Sequence, residues 1–373
     1  MTPPSLDDAV EDATGMNAEK FETPIERAYR LRFDPSKPPP PEELALLIDG
    51  YSIGAAGNLT VVQGKSKAGK SAVLSAALGA VLGATCETKD TFCMKWVAGG
   101  EGAIIHLDTE QSLSDWHALV MRGVGRSGLS KAPDRLVSLP LIAFSRSERC
   151  ELLRQVLEKE KQQHGSIAIV IIDGIADLCA SPNDEAEALE LVSEVHALAQ
   201  NYHCVILCVL HENPGSDSGK TRGHLGSELN RKAYANLRID KEADSGISTI
   251  WGTDMRKREI PKHEGFCFGW DEKVGMHCYL GRAEGLKAAQ KEEKARREHR
   301  EFFEPIYRGA SGSPCPDLSL AEAREIHRDM NGTGGTMSEG AMKKRMQRAE
   351  DAGVLKKTER GRWSLVPNGT NGT

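Results

Sequence analysis

Residues Gly64, Lys65, Ser66, Lys67, Ala68, Gly69, Lys70 and Ser71 satisfy the pattern G-x-x-x-x-G-K-[ST]. Such a run can cradle phosphate oxygens. Its glycines let the backbone approach them, a following helix offers free N–H groups and its positive dipole end, and Lys70 adds a full charge. The hydroxyl of Ser71 can ligate Mg2+. The chemistry expected at this stretch is the binding of a nucleoside triphosphate with its metal.

The pattern needs a strand before it and a helix after it. Leu59-Thr60-Val61-Val62-Gln63 reads as a short buried strand, and Ala72 to Leu82 is a proline-free run of good helix formers. Downstream, strands alternate with helices. Ala103 to Asp108 reads as a strand leading into the polar turn Thr109-Glu110-Gln111-Ser112, Ser147 to His164 as a helix, and Ile167 to Asp173 as an aliphatic strand. Asp184 to Gln200 reads as a helix and Cys204 to Leu210 as another aliphatic strand. Continuous Ile/Val/Leu strands separated by helices predict an α/β fold with a mostly parallel sheet covered on both faces. Beyond Ala235, the runs 235–241, 248–255, 266–270 and 276–280 are expected to add antiparallel strands at one edge.

Composition is that of a globular protein, with 27% charged and 39% hydrophobic residues. No apolar run reaches the roughly 18–20 residues of a membrane span, and the first ten residues lack the features of a signal peptide, so a cytoplasmic protein is expected. Nine cysteines without C-x-x-C pairs suggest reduced, mostly buried thiols. The net charge of −6 means that any nucleic-acid contact must come from local patches.

The chain divides by composition. Residues 1–41 form an acidic, then Pro-rich arm, with Phe21, Ile25, Ala28 and Tyr29 at helical spacing. Residues 42–282 hold the α/β core, 283–314 a charged connector helix and linker, 315–367 a small second domain and 368–373 a tail. Ser319 and Glu322 form a capping box for one helix, and Ser338 caps another whose stripe is Met342, Met346 and Ala349. Val354-Leu355 and Trp363-Ser364-Leu365 bracket a hairpin. Helix, helix and ribbon resemble a winged helix-turn-helix. Lys343, Lys344, Gln347 and Arg348 on the second helix, with Lys356, Lys357, Arg360 and Arg362 on the ribbon, suit a DNA backbone, although such a domain can also serve protein contacts.

The order of the phosphate loop, Ala103-Ile104-Ile105-His106-Leu107-Asp108-Thr109-Glu110, Ile169-Val170-Ile171-Ile172-Asp173 and Val209-Leu210-His211-Glu212-Asn213 resembles the RecA-like ATPase core over about residues 44–281. The phrase Thr221-Arg222-Gly223-His224-Leu225-Gly226-Ser227-Glu228-Leu229 resembles the RepA-type hexameric helicases within that superfamily. The resemblance implies ATP and Mg2+ as ligands, Asp173 as the aspartate that orients the metal with Ser71, and Glu110 as general base, with Asp108 its rival. His211 corresponds to the γ-phosphate sensor, a role that Glu212 or Asn213 could share. Lys220, Arg222 and His224 fall on the loop expected to face single-stranded DNA in a ring's channel. Arg256-Lys257-Arg258 resembles the K-x-R fingers that DnaB-like and KaiC-like ATPases insert into a neighbouring site, so Arg256 and Arg258 are expected to act across subunits, with Arg231 and Lys232 as the rival pair. The implied function is an ATP-hydrolysing, ring-forming DNA motor. The alternatives are a KaiC-like assembly or regulatory switch and, more distantly, a kinase.

Overall fold

Strands such as Ile167–Asp173 and Val205–His211 carry aliphatic side chains toward both faces, and a strand apolar on both sides is stable only between two layers. The computed structural model, which describes residues 23–30, 32–84, 89–212, 221, 223–308, 315–332 and 337–367, has that arrangement. In chain order its elements are α1 (Pro24–Arg30), β1 (Leu44–Ile48), β2 (Tyr51–Ala55), β3 (Leu59–Gly64), α2 (Lys70–Leu82), β4 (Met94–Trp96), β5 (Ala103–Asp108) and α3 (Leu113–Arg126). There follow β6 (Leu136–Pro140), α4 (Arg146–His164), β7 (Ile167–Asp173), α5 (Glu185–Tyr202), β8 (Val205–His211), α6 (Gly223–Lys232), β9 (Ala235–Lys241) and β10 (Ser248–Thr253). The chain continues through β11 (Phe266–Asp271), β12 (Met276–Arg282), α7 (Ala283–Arg308), α8 (Leu320–Asn331), α9 (Glu339–Asp351), β13 (Leu355–Lys357) and β14 (Trp363–Leu365).

Nine of these strands form one sheet in the order β12-β11-β10-β9-β3-β8-β7-β5-β6. From β9 to β6 every pairing is parallel, and β10, β11 and β12 extend the other edge antiparallel. Alternation assigns the strands to two cores. Ile169 and Ile171 of β7 and Val205, Leu207 and Val209 of β8 pack on the α2 and α3 side, whereas Val170, Ile172, Ile206, Cys208 and Leu210 face α4, α5 and α6. A separate three-stranded sheet, β2-β1-β4, contributes Leu46, Ile48, Ile53 and Trp96 to the first core. Cys204 and Cys208 both lie in the second core, and the eight described cysteines are free thiols.

Two expectations are corrected. Residues 235–241 form a strand, but it runs parallel to β3, because α6 supplies a crossover that returns the chain in the same direction. Strand β10 stops at Thr253, two residues short of the expected run, because Asp254 turns the backbone with a φ of 49°, and Arg256, Lys257 and Arg258 lie on the following loop. The connector helix runs to Arg308, and in its last turns Phe303, Ile306 and Tyr307 enter a third core with Met342, Met346 and Trp363.

The residues on that third core include α8, opened by the Ser319–Glu322 capping box, and α9, capped by Ser338. Strands β13 and β14 pair antiparallel beside them. In the N-terminal segment α1 exposes Ile25 and Tyr29. Phe21 lies outside the described residues, as do the linker 309–314 and the tail 368–373. No helix among the described residues is long and apolar enough to cross a membrane.

Candidate active site

The parallel register brings the chemistry to one edge. Gly64 at the end of β3 pairs with His211 at the end of β8, and Asp108 at the end of β5 pairs with Asp173 at the end of β7. Ends of parallel strands are where open α/β sheets bind ligands.

Between β3 and α2 the loop turns through Lys67 and Gly69, with φ of 61° and 102°. Gly69 is required twice over: its backbone is left-handed, and a Cβ there would sit 2.7 Å from the Phe268 ring. Helix α2 begins without a side-chain cap and without an acidic residue in its first turn. Its leading N–H groups are therefore open to an anion. A cavity of about 280 Å3 lies over this helix start, with Lys70, Ser71, Glu110, Asp173 and His211 among its walls.

Lys70 is buried and donates to the carbonyls of Gly64 (3.0 Å) and Lys65 (2.9 Å). Its Nζ also lies 3.0 Å from Nδ1 of His211. A lysine ammonium only donates, so Nδ1 accepts and the ring proton resides on Nε2, which donates to Glu110 over 2.8 Å. The result is a chain from Lys70 through His211 to Glu110. Burial pushes the Lys70 ammonium below its usual range, against the pull of Glu110, Asp173 and Glu212. Burial alone would raise the Glu110 carboxyl, but the hydrogen bond from His211 and the Lys70 charge outweigh it and hold the group below its ordinary value.

Asp108 and Glu110 have different surroundings. Asp108 is buried and accepts the backbone N–H of Glu110 (3.0 Å) and of Gln111 (2.8 Å), so it folds the turn that presents Glu110. Gln111, which the sequence reading passed over, bridges the two strand ends: its amide donates to Asp108 (2.9 Å) and to Asp173 (2.8 Å). Burial, then the charges of Asp108 and Glu110, push the Asp173 carboxyl up to about 7. A buried carboxylate among like charges, lining the same cavity as Ser71, offers with that hydroxyl hard oxygen donors that suit Mg2+. His106, one step back on the same face of β5, is wholly buried, and burial lowers its imidazole to about 4.

Glu212 is committed elsewhere, since its buried carboxylate takes two hydrogen bonds from Arg238 (2.8 and 3.2 Å). Its backbone forms an antiparallel bridge with Thr221. Asn213, Lys220 and Arg222 lie outside the described residues, and His224 stands exposed in the first turn of α6. Arg256 and Arg231 line one shallow cavity away from the phosphate loop, and Arg256 donates to the carbonyl of Lys232. Arg256 is thus a neighbour of the rival pair Arg231 and Lys232. Arg258 lies exposed over the Tyr51 ring, 3.8 Å from Glu264. On the C-terminal elements Lys343, Lys344 and Arg348 are exposed on α9, as are Lys356 and Lys357 on β13. Gln347 pairs with Glu350 and Asp351, Lys357 lies over the Trp363 ring, and Arg362 is held by Asp317 and Glu322.

Residues that sequence reasoning missed are Gln111 and the positions lining the far end of the cavity, Arg122, Arg126, Lys241 and His277. They come from α3, β9 and β12, and no local pattern marks them. No curated protein matches the chain. The AAA domain family matches residues 22–217, more than half of the sequence. An uncapped helix behind a glycine loop, with Lys70, Glu110 and Asp173 around one cavity, fits a nucleotide site, and the chain belongs to the AAA domain family of P-loop NTPases.

Proposed function

We propose that this protein is an ATP-hydrolysing, RecA-like motor that assembles as a hexameric ring and acts on DNA as a RepA-type helicase or translocase of a mobile element. The observation that carries the hydrolytic part is the hydrogen-bonded chain from Lys70 through His211 to Glu110, beside the buried Asp173. ATP lies with its phosphates on residues 64–71. Lys70 then turns from the loop carbonyls toward the β and γ oxygens, and His211 senses the γ-phosphate. Glu110 polarises the attacking water. Ser71 and Asp173 would hold Mg2+, which would supply charge neutralisation for the phosphates.

Arg256 and Arg258, or the adjacent Arg231 and Lys232, reach the site of the next subunit and stabilise charge in the transition state. Their position off the cavity of their own chain supports a role across an interface. Lys220, Arg222 and His224 contact single-stranded DNA in the channel. Helices α8 and α9 with the β13–β14 ribbon form a winged helix whose Lys343, Lys344, Arg348, Lys356 and Lys357 engage DNA phosphates. Three of these cations share the exposed side of one helix, which supports that reading.

The test is steady-state ATP hydrolysis with and without single-stranded DNA, across protein concentrations and at two salt levels. Stimulation by DNA that weakens with salt, and specific activity that rises with concentration, is the expected result. Hydrolysis indifferent to DNA and to concentration would overturn the motor in favour of an ATP-dependent switch.

A further inference from the structure

Three ionisable side chains converge beneath the strand ends. Alternation puts His106 and Asp108 on one face of β5, and the parallel register sets Asp173 of β7 beside Asp108. Their exposures are 0%, 1% and 4%, and one ring nitrogen and two carboxylate oxygens lie within 4.8 Å of one another. Among the described residues no other trio of imidazole, thiol or carboxylate groups comes together in this way. Neither His106 nor Asp108 is on the wall of the cavity over the phosphate loop.

The imidazole is supported from one side and bare on the other. Ser138 stands opposite His106 on β6, with its Oγ 2.9 Å from Nδ1. The same Oγ takes the indole N–H of Trp116 on α3 at 2.8 Å. A hydroxyl oxygen has two lone pairs, so it accepts from Trp116 and from Nδ1–H together. In that tautomer Nε2 offers a lone pair, and Nε2 is buried without a hydrogen-bond partner. A metal-bound histidine is held in the same manner, its second ring N–H given to an oxygen. Between the two carboxylates a donor already stands: Nε2 of Gln111 reaches Asp108 Oδ2 (2.9 Å) and Asp173 Oδ2 (2.8 Å), in the place of a cation. Turning that amide over frees both oxygens and presents its own oxygen instead.

We infer that Nε2 of His106 and the carboxylates of Asp108 and Asp173 form a site for a first-row transition-metal dication, of the Mn2+, Co2+ and Zn2+ class, which binds without nucleotide and displaces the Gln111 amide. An imidazole beside two carboxylates favours such ions over Mg2+ and Ca2+, which take oxygen ligands. Ligands about 2.1 Å from one ion stand at most about 4.2 Å apart, so the ion draws the trio together by no more than about 0.6 Å. The site goes beyond the triphosphate reading and shares only Asp173 with it, since Ser71 and the phosphate loop take no part.

The test titrates the untagged full chain, freed of metal by chelation, with Mn2+ and with Mg2+ in the absence of nucleotide. Bound Mn2+ is then examined by electron spin-echo modulation, which detects a directly coordinated nitrogen. Wild type should bind Mn2+ about tenfold or more tighter than Mg2+ and show the coupling of one imidazole. His106→Gln, close to histidine in volume, should lose the nitrogen signal and about tenfold or more in Mn2+ affinity. Asp108→Asn leaves the imidazole in place and should lose affinity to a similar extent. The site is overturned if wild type takes up no Mn2+, if bound Mn2+ shows no nitrogen, or if either variant binds Mn2+ as wild type does. A nitrogen signal that survives in His106→Gln comes from another histidine and overturns it equally. Binding of Mg2+–ATP to the same wild-type preparation reads the phosphate loop separately, so failure of the Mn2+ site leaves the triphosphate reading standing.

Discussion

Nε2 of His211 lies 2.8 Å from the Glu110 carboxylate and donates to it, because Nδ1 of the same ring is occupied by Lys70. Without nucleotide the proposed base is therefore already engaged. A γ-phosphate that draws Lys70 and His211 toward itself releases Glu110 to water, so binding and activation of the base are coupled through one imidazole.

Glu110→Gln should reduce kcat by roughly 100-fold to 10,000-fold, the range of a general base, and leave ATP affinity within a few-fold of wild type. Single-turnover hydrolysis and equilibrium binding measured on the same preparation check this. Retention of more than a tenth of wild-type kcat would shift the base to another group.

Asp173 makes the apo protein's stability depend on pH. Its folded value of about 7 lies above the ordinary 3.8. Between those values the folded chain holds a proton that the unfolded chain has lost, so stability falls as pH rises through this window. His106 acts in the opposite sense: with a folded value of about 4 against 6.5, it costs stability as pH falls from 6.5 toward 4. Asp173→Asn removes only the first effect. In metal-free buffer its melting temperature should exceed that of wild type by several degrees at pH 8, with the gap narrowing toward pH 4. Added Mg2+ and ATP should stabilise wild type more than the variant, which keeps the phosphate loop and Ser71 but lacks the Asp173 carboxylate. A gap that does not vary with pH would mean that Asp173 is not the titrating group.

The Glu212–Arg238 pair lies under the β8 end, with the carboxylate almost completely buried. Arg238→Ala should cost about 3–5 kcal/mol, because it leaves that charge without its partner. Adding Glu212→Gln should recover part of the loss. Urea unfolding of the two single variants and the double variant gives the coupling, and simple additivity would show that the pair does not act as a unit.

Helices α2 and α3 approach through glycine. A Cβ at Gly79 would lie 2.5 Å from Cβ of Arg126, and one at Gly123 would lie 2.9 Å from Cβ of Leu78. Gly79→Ala should therefore destabilise the protein by about 1–3 kcal/mol despite its better helix propensity. An unaltered melting temperature would show that the two helices can move apart freely.

The phosphate loop, α2 and the strands β5, β7 and β8 were legible because each announces itself locally, by glycine spacing or by an unbroken aliphatic run. The direction of β9 was not, since the side chains of a strand do not encode which way it runs. That follows from the α6 crossover. Gln111 is a single polar residue in a polar turn, and its bridge between Asp108 and Asp173 exists only once β5 and β7 are in register. Arg126 looks like one more basic residue at the end of a helix, and its burial depends on contacts with residues as distant as His277. The end of α7 was hidden by its composition, because three core residues follow a long run of charge.

Helix α7 is fixed at both ends. The Ala283 N–H donates to the carbonyl of Gly265 beside the sheet, and Phe303, Ile306 and Tyr307 are locked into the C-terminal core. Between them Lys287 to Lys294 is mostly exposed. A helix turns about 100° and rises about 1.5 Å per residue. One residue inserted in that run would swing the C-terminal core about 100° around the axis while lengthening the helix only slightly, whereas seven would return it to within about 20°. What the charged stretch transmits is therefore rotational phase: its chemistry is free to drift, but its residue count is set modulo two turns.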